Sequence, residues 1–156
     1  MGVKRMKKKH RFFLGLVVIL VLTAVLLILN DYRPNIDESE VSCVSFYNVS
    51  CTSKKIVTNT EDIRTIIDTI DSLHNWGKYD ADDVPAGGIP FHLVFDFGNT
   101  TRLISYNQTG PGGRGFLCDG DIQIKASGLN LKELWDSLDY EEIEAKPVEI
   151  FPTDIQ

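Results

Sequence analysis

Residues 90–107 read PFHLVFDFGNTTRLISYN, and this stretch predicts the β-hairpin around which the fold is built. Two runs of alternating apolar and polar residues flank Gly98 and Asn99, a pair suited to a two-residue type II′ turn. With that turn Phe95 lies opposite Arg102, and the alternation assigns every side chain to one of two faces. The apolar side predicts a core face made of Phe91, Leu93, Phe95, Phe97, Ile104 and Tyr106.

The opposite face of this hairpin carries the candidate binding surface. It consists of His92, Val94, Leu103 and Ser105, and exposed apolar side chains near loops commonly bind partners. His92 lies opposite Ser105, with Asp96 on the same face, which suggests a Ser-His-Asp triad. Asp96 lies four residues along the strand from His92, about 13 Å away, so the three side chains cannot make the hydrogen bonds of a triad.

Two strands and a helix are predicted before the hairpin. VSCVSFY at residues 41–47 and KKIVT from Lys54 are rich in β-branched and aromatic residues, which favours strands. Thr60 is the expected N-cap of a helix that ends at Gly77. Its apolar side chains recur at helical spacing: Ile63, Ile66, Ile67, Ile70 and Leu73.

A further strand and a second helix are predicted after the hairpin. Residues 116–126 form one strand or a bent pair broken near Gly120. Asn130 is the expected N-cap of the helix, with Glu133 as its capping partner. The order over residues 41–139 is therefore ββαβββα, an α+β domain in which two helices pack on one face of a mostly antiparallel sheet.

Residues 12–29, FFLGLVVILVLTAVLLIL, form an uncharged apolar run that predicts an N-terminal transmembrane helix. Such a run rises about 27 Å as a helix, close to the thickness of a bilayer's hydrocarbon core. Residues 1–11 contain six Lys and Arg and no acid, which by the positive-inside rule keeps the N-terminus cytoplasmic. We therefore expect a single-pass signal-anchor in the plasma membrane, with an extracytoplasmic domain that follows a polar stalk over residues 30–40.

Two alternatives apply to the same apolar run. Leu22 and Ala24 are spaced like the end of a signal peptide, which predicts cleavage after Ala24, although the apolar residues continue beyond that point. A buried helix of a soluble protein is the second alternative. It is disfavoured because no polar side can be drawn at a period of 3.6 residues.

The chain beyond residue 29 is strongly acidic. It holds ten Lys and Arg against all 22 Asp and Glu, a net charge of −12. Such a charge repels nucleic acid, so no nucleic-acid partner is expected. The last part, residues 140–156, is an acidic tail with two prolines and is expected to fray.

No cofactor or metal site is expected. Cys43, Cys51 and Cys118 have no further Cys or His at the spacing of a zinc site. GPGGRG at residues 110–115 lacks the Lys-Ser/Thr ending of a phosphate-binding loop. A disulfide between Cys43 and Cys51 conflicts with the strand predicted at Cys43. A bond from either to Cys118 and three buried free thiols are equal alternatives.

The lysine-rich start, single apolar run, acidic stalk and ββαβββα unit together resemble the short uncharacterised membrane-anchored proteins that are common in Gram-positive bacteria. The resemblance covers the architecture of residues 1–140. It implies a tethered domain and assigns no functional residue, since fold does not imply function.

The expected function is a non-enzymatic binding or regulatory module of the bacterial cell envelope. Its expected partners are the lipid bilayer, through residues 12–29, and an unidentified envelope protein or ligand. A small cell-surface hydrolase that uses His92 or the acidic loop after Lys78 is the alternative, and a structural subunit of a membrane complex is another. No catalytic residue is predicted.

Overall fold

A computed structural model describes residues 13–22, 32–79 and 87–150 of the chain, in two units divided between Tyr32 and Arg33. In the first unit, residues 13–22 form a helix, α1. All the other elements named below belong to the second unit.

The transmembrane helix predicted over residues 12–29 is contradicted. Across the described ranges, no helix combines the length and the apolar character that crossing a membrane requires. Residue 12 and residues 23–29 lie outside the described part. The same finding contradicts the predicted single-pass localisation in the plasma membrane.

The second unit is an α+β fold. Its strands are β1 (Cys43–Asn48), β2 (Ser53–Val57), β3 (His74–Lys78), β4 (Ile89–Asp96), β5 (Thr101–Gly110), β6 (Arg114–Asp119), β7 (Ile122–Ser127) and β8 (Ile143–Glu144). Its helices are α2 (Thr60–Asp71), α3 (Leu131–Ser137) and α4 (Pro147–Ile150). Within the described residues, the strands form one sheet in the order β3-β7-β6-β5-β4-β1-β2-β8, with every neighbouring pair antiparallel.

The predicted order ββαβββα is therefore wrong in the number of strands. Residues 116–126 are the bent pair of the prediction, because β6 and β7 are separated at Gly120. β3 and β8 are absent from the predicted order. Both lie at the edges of the sheet, where pairing with a strand distant in sequence decides the conformation.

The hairpin of β4 and β5 has the predicted register. The backbone N–H of Phe97 donates to the Thr100 carbonyl across the turn (2.9 Å), and Gly98 has a φ of +84°. A positive φ at the first turn position is what a type II′ turn requires, and glycine adopts it without steric cost. The cross-strand pairs are those predicted: Phe91 with Tyr106, Leu93 with Ile104, and Phe95 with Arg102.

One face of the sheet, here called the covered face, is packed with apolar side chains. Phe46 is fully buried there, and its ring centroid lies 5.7 Å from that of Phe91 and 5.2 Å from that of Trp135 in α3. α2 and α3 each bury one apolar side. The buried helical residues are Ile63, Ile66, Ile67, Ile70, Leu131, Leu134 and Trp135.

A buried lysine also lies on the covered face. Lys55 of β2 is 5 % exposed, and its Nζ donates hydrogen bonds to the carbonyls of Trp135 (2.9 Å) and Leu138 (2.7 Å). These carbonyls belong to the last turn of α3, where backbone acceptors lack partners within the helix and carry partial negative charge. Lys55 therefore caps the C-terminal end of α3.

Helix α2 is shorter than predicted because the chain after it joins the sheet. Asn59, not Thr60, is the N-cap, and its side chain accepts hydrogen bonds from two backbone N–H groups of the first turn. The helix ends at Asp71, whereas the prediction extends it to Gly77. The following residues form the edge strand β3, where Gly77 has a φ of +146° beside a bulge.

The segment predicted as a stalk, residues 30–40, contacts the domain where it is described. Pro34 is buried, and its carbonyl accepts a hydrogen bond from Arg102 Nη1 (2.6 Å). Glu38 forms an ion pair with Arg64 of α2 (2.5 Å). The described part of this segment thus lies against the sheet and α2.

The described part of the acidic tail contains β8 and α4. β8 pairs with β2, and the backbone N–H of Ala145 donates to the Thr52 carbonyl (2.8 Å). This pairing replaces the fraying expected from composition, because it satisfies backbone groups at the edge of the sheet. Residues 151–156 lie outside the described part.

Candidate functional site

The second face of the sheet, here called the open face, carries the predicted binding surface. Strand pairing places His92 beside Ser105 and Val94 beside Leu103, as the hairpin register predicts. Cys118 of β6 pairs with Ser105 from the other side. One row across three strands is therefore formed by His92, Ser105 and Cys118. These three side chains and those of Val94 and Leu103 are half-buried.

A depression of about 520 Å³ lies on the open face between β5 and β6. Its volume falls in the range of small-ligand sites, about 300–1,000 Å³. The wall of this depression includes the apolar side chain of Leu103 and the carboxylate of Asp121. A smaller cavity of about 120 Å³ extends past His92. The residues that line the larger depression are Thr101, Arg102, Leu103, Ser105, Cys118, Asp119, Gly120 and Asp121.

The C-terminal segment forms a ridge along one side of this surface. Ala145 packs against Tyr47 of β1, with Val94 at the edge of the same cluster. Lys54 Nζ holds the segment by an ion pair with Glu149 of α4 (2.9 Å). Of the four predicted surface residues, Val94 is therefore partly covered by the chain itself.

Aromatic side chains form a second ridge on the opposite side of the surface. Phe116 of β6 lies on the open face, and its ring packs edge-on against Tyr79, with centroids 5.0 Å apart. Trp76 of β3 is 58 % exposed, and Lys125 Nζ lies 5.9 Å from its ring centroid. The open face is thus a trough with the depression in its floor.

The thiol in the row of side chains is held in its protonated form. Burial raises the pKa of the Cys118 thiol, and the carboxylates of Asp119 and Asp121 raise it further. A thiol with a raised pKa is a poor nucleophile. Cys43, Cys51 and Cys118 are all free in this structure, but none is buried as the alternative expects, because Cys51 is exposed and the other two are half-buried.

A buried ion pair supports the end of the depression. Arg102 donates to both carboxylate oxygens of Asp119, from Nε to Oδ1 (3.1 Å) and from Nη2 to Oδ2 (2.5 Å). Asp119 is buried, and a two-point contact of this kind is geometrically specific. The pair ties β5 to β6, so its role in the site is to hold the two strands that form the depression.

The glycine-rich segment at residues 110–115 is closely packed. A Cβ placed on Gly113 would lie 2.6 Å from the backbone carbon of Leu129. The Tyr106 hydroxyl donates to the Gly113 carbonyl (2.5 Å). The segment therefore serves the packing of β5, β6 and the start of α3.

Phe116 and most residues that line the depression are missing from the predicted surface, among them Cys118 and Asp121. The signal for Phe116 and Cys118 is the alternation of residues 114–119, which becomes visible once β6 is recognised as a separate strand, whereas Asp121 lies in the turn after β6. Among the described residues, no group of three or more His, Cys, Asp or Glu is arranged to hold a metal ion.

Comparison with protein-family models, curated proteins and solved structures found no match to this chain.

Proposed function

We propose that the second unit is a binding module that acts without catalysis, with the open face as its contact surface. The observation that carries this proposal is the depression of about 520 Å³ between β5 and β6, set in a trough between two ridges. Its lining combines the apolar side chain of Leu103 with hydroxyl and carboxylate groups. Binding sites commonly pair apolar area with a few polar groups that orient the ligand.

The chemistry of the same surface supports binding in preference to nucleophilic catalysis. The raised pKa of the Cys118 thiol keeps it protonated near neutral pH. Asp96 pairs with Thr101, and on β4 it lies four residues from His92, which pairs with Ser105. At about 3.3 Å per residue this separation prevents Asp96 from orienting the imidazole.

Substitution of Leu103 tests the proposal. A photo-crosslinking residue at position 105 of the full chain should capture a partner in intact cells, and Leu103→Asp should reduce that capture at least tenfold. Ile122→Asp is the matched control, because Ile122 is an exposed apolar residue that its pairing with Asp119 places on the covered face, outside the depression. Circular dichroism establishes that both variants fold. Equal capture by the wild type and Leu103→Asp would refute the open face as the contact surface.

A small hydrolase is the second candidate, favoured by the direct pairing of His92 with Ser105. Activity profiling of the purified chain against ester, amide and phosphoester substrates separates the two candidates. Turnover that disappears in His92→Ala would replace the binding module by the enzyme. The acidic loop that the alternative also invokes includes residues 80–86, which lie outside the described part.

A further inference from the structure

We propose that the open face binds an amphipathic α-helix of a partner protein, which lies along β4, β5 and β6. The bound helix carries basic residues at one of its ends and acidic residues at the other. The inference rests on the proposed binding function and names the class of partner for the same surface. It follows from the width of the trough, the pairing of its strands and the placement of charges along it.

The trough has the width of a helix. Its floor is the row of His92, Ser105 and Cys118 with Leu103 beside it, and its sides are the C-terminal ridge and the aromatic ridge. The ridges stand on β1, where Ala145 packs on Tyr47, and on β6, which carries Phe116, and these strands lie three spacings of about 4.8 Å, roughly 14 Å, apart. An α-helix with its side chains is about 10–12 Å across, so one helix fills the trough.

The pairing of the floor strands excludes an extended peptide. β4, β5 and β6 are each hydrogen-bonded to a neighbour on both sides, so the floor offers side chains and no backbone groups. An extended segment placed there leaves its own N–H and C=O groups unpaired over apolar surface, which is costly. A helix satisfies these groups internally, as α2 and α3 do on the covered face.

Charges of opposite sign lie at the two ends of the trough. Asp96 and Asp121 lie at the end where β4 finishes and β7 begins. Arg114 and Lys125 lie at the other end, where alternation puts both on the same face as Phe116. The ends are about six residues of strand apart, roughly 20 Å, which matches a helix of about 14 residues. A helix with charges complementary to both ends therefore fits best.

Two synthetic helical peptides of about 14 residues test this inference, with leucines at i, i+3, i+4 and i+7. One carries lysines at its first turn and glutamates at its last, and the other carries lysines at both ends. By fluorescence anisotropy with the full chain, the lysine–glutamate peptide should bind about tenfold tighter. Arg114→Glu combined with Lys125→Glu makes both ends of the trough acidic, so this double variant should reverse the preference.

Lys132→Glu is the matched control, because Lys132 is an exposed lysine of α3 on the other side of the sheet. It should leave the preference of the wild type unchanged. Equal binding of both peptides, binding of neither, or a preference that the double variant of Arg114 and Lys125 does not reverse would overturn the inference. Partner capture lost in Leu103→Asp would still support the proposed function in that case, so the two failures are distinguishable.

Discussion

The covered face and the open face are built from the same strands but differ in what their side chains do. On β6, Leu117 is fully buried on the covered face, whereas its neighbours Phe116 and Cys118 are half-buried on the open face. On β1, Phe46 is fully buried and Ser45 is half-buried. Because alternate residues of a strand point to opposite faces, one set builds the core and the other set can vary with little cost to folding.

The largest difference is expected between Phe46→Ala and Phe116→Ala. Phe46 packs between Phe91 and Trp135, so its truncation leaves a cavity and should lower the free energy of unfolding by about 3–5 kcal/mol. Phe116 is half-buried against Tyr79, and its truncation should cost roughly 1 kcal/mol. Urea unfolding followed by circular dichroism measures both. Equal losses would show that the two faces do not differ in their contribution to the core.

Lys55→Met tests whether Lys55 stabilises the C-terminal end of α3 on the covered face. The substitution keeps the aliphatic length but removes the Lys55 donor from both carbonyls, and only that of Leu138 still accepts from the Tyr140 backbone N–H (3.1 Å), so it should cost about 1–3 kcal/mol. Lys132→Met is the control, because Lys132 is exposed and pairs only with Asp136 on its own helix. Its effect should stay below about 0.5 kcal/mol. Urea unfolding measures both variants, and a neutral Lys55→Met would contradict the capping role.

The smallest effect is expected at the C-terminal ridge. The hydrogen bond from Lys54 lowers the pKa of the Glu149 carboxyl below its ordinary value of 4.5. A lowered pKa in the fold adds stability above the ordinary value, and this stability is lost as the pH falls through the folded pKa. Because Glu149 is partly exposed, the gain is less than about 1 kcal/mol.

Glu149→Gln should therefore loosen the ridge near neutral pH. In the wild type the ridge should also loosen as the pH falls below about 4.5, and this pH dependence should be absent from the variant. Hydrogen exchange at the Ala145 amide, which donates to Thr52, reports on the ridge. Asp136→Asn removes a comparable exposed ion pair on α3 and should leave this exchange unchanged. Wild-type behaviour in Glu149→Gln would mean that the ion pair does not hold the ridge.

The hairpin is predictable because two independent local signals agree on it. The turn at Gly98 and the alternation of β4 and β5 specify the same register, so the sequence alone places His92, Val94, Leu103 and Ser105 on one face. Local signals fail where a distant strand competes with them. The residues after Asp71 read as the end of a helix, but pairing with β7 makes them β3.

The start of α3 shows the same competition at one residue. Asn130 is the N-cap, as predicted, but its side chain accepts a hydrogen bond from Gln108 Nε2 (3.0 Å) and makes no capping bond of its own. The Gln108 Oε1 accepts instead from the backbone N–H of Lys132 (3.3 Å). A side chain of β5 thus replaces the capping box that the helix sequence encodes.

Residue alternation and turn chemistry are enough to assign the side chains of the hairpin to the two faces of the sheet, because the two-residue period of a strand and the geometry of a tight turn are local properties. They do not specify which parts of the chain border the open face. The C-terminal ridge, the edge strand β3, and the depression between β5 and β6 depend on contacts between residues far apart in sequence. Such contacts gain their free energy from pairing and packing in the folded chain, and local sequence patterns do not encode them.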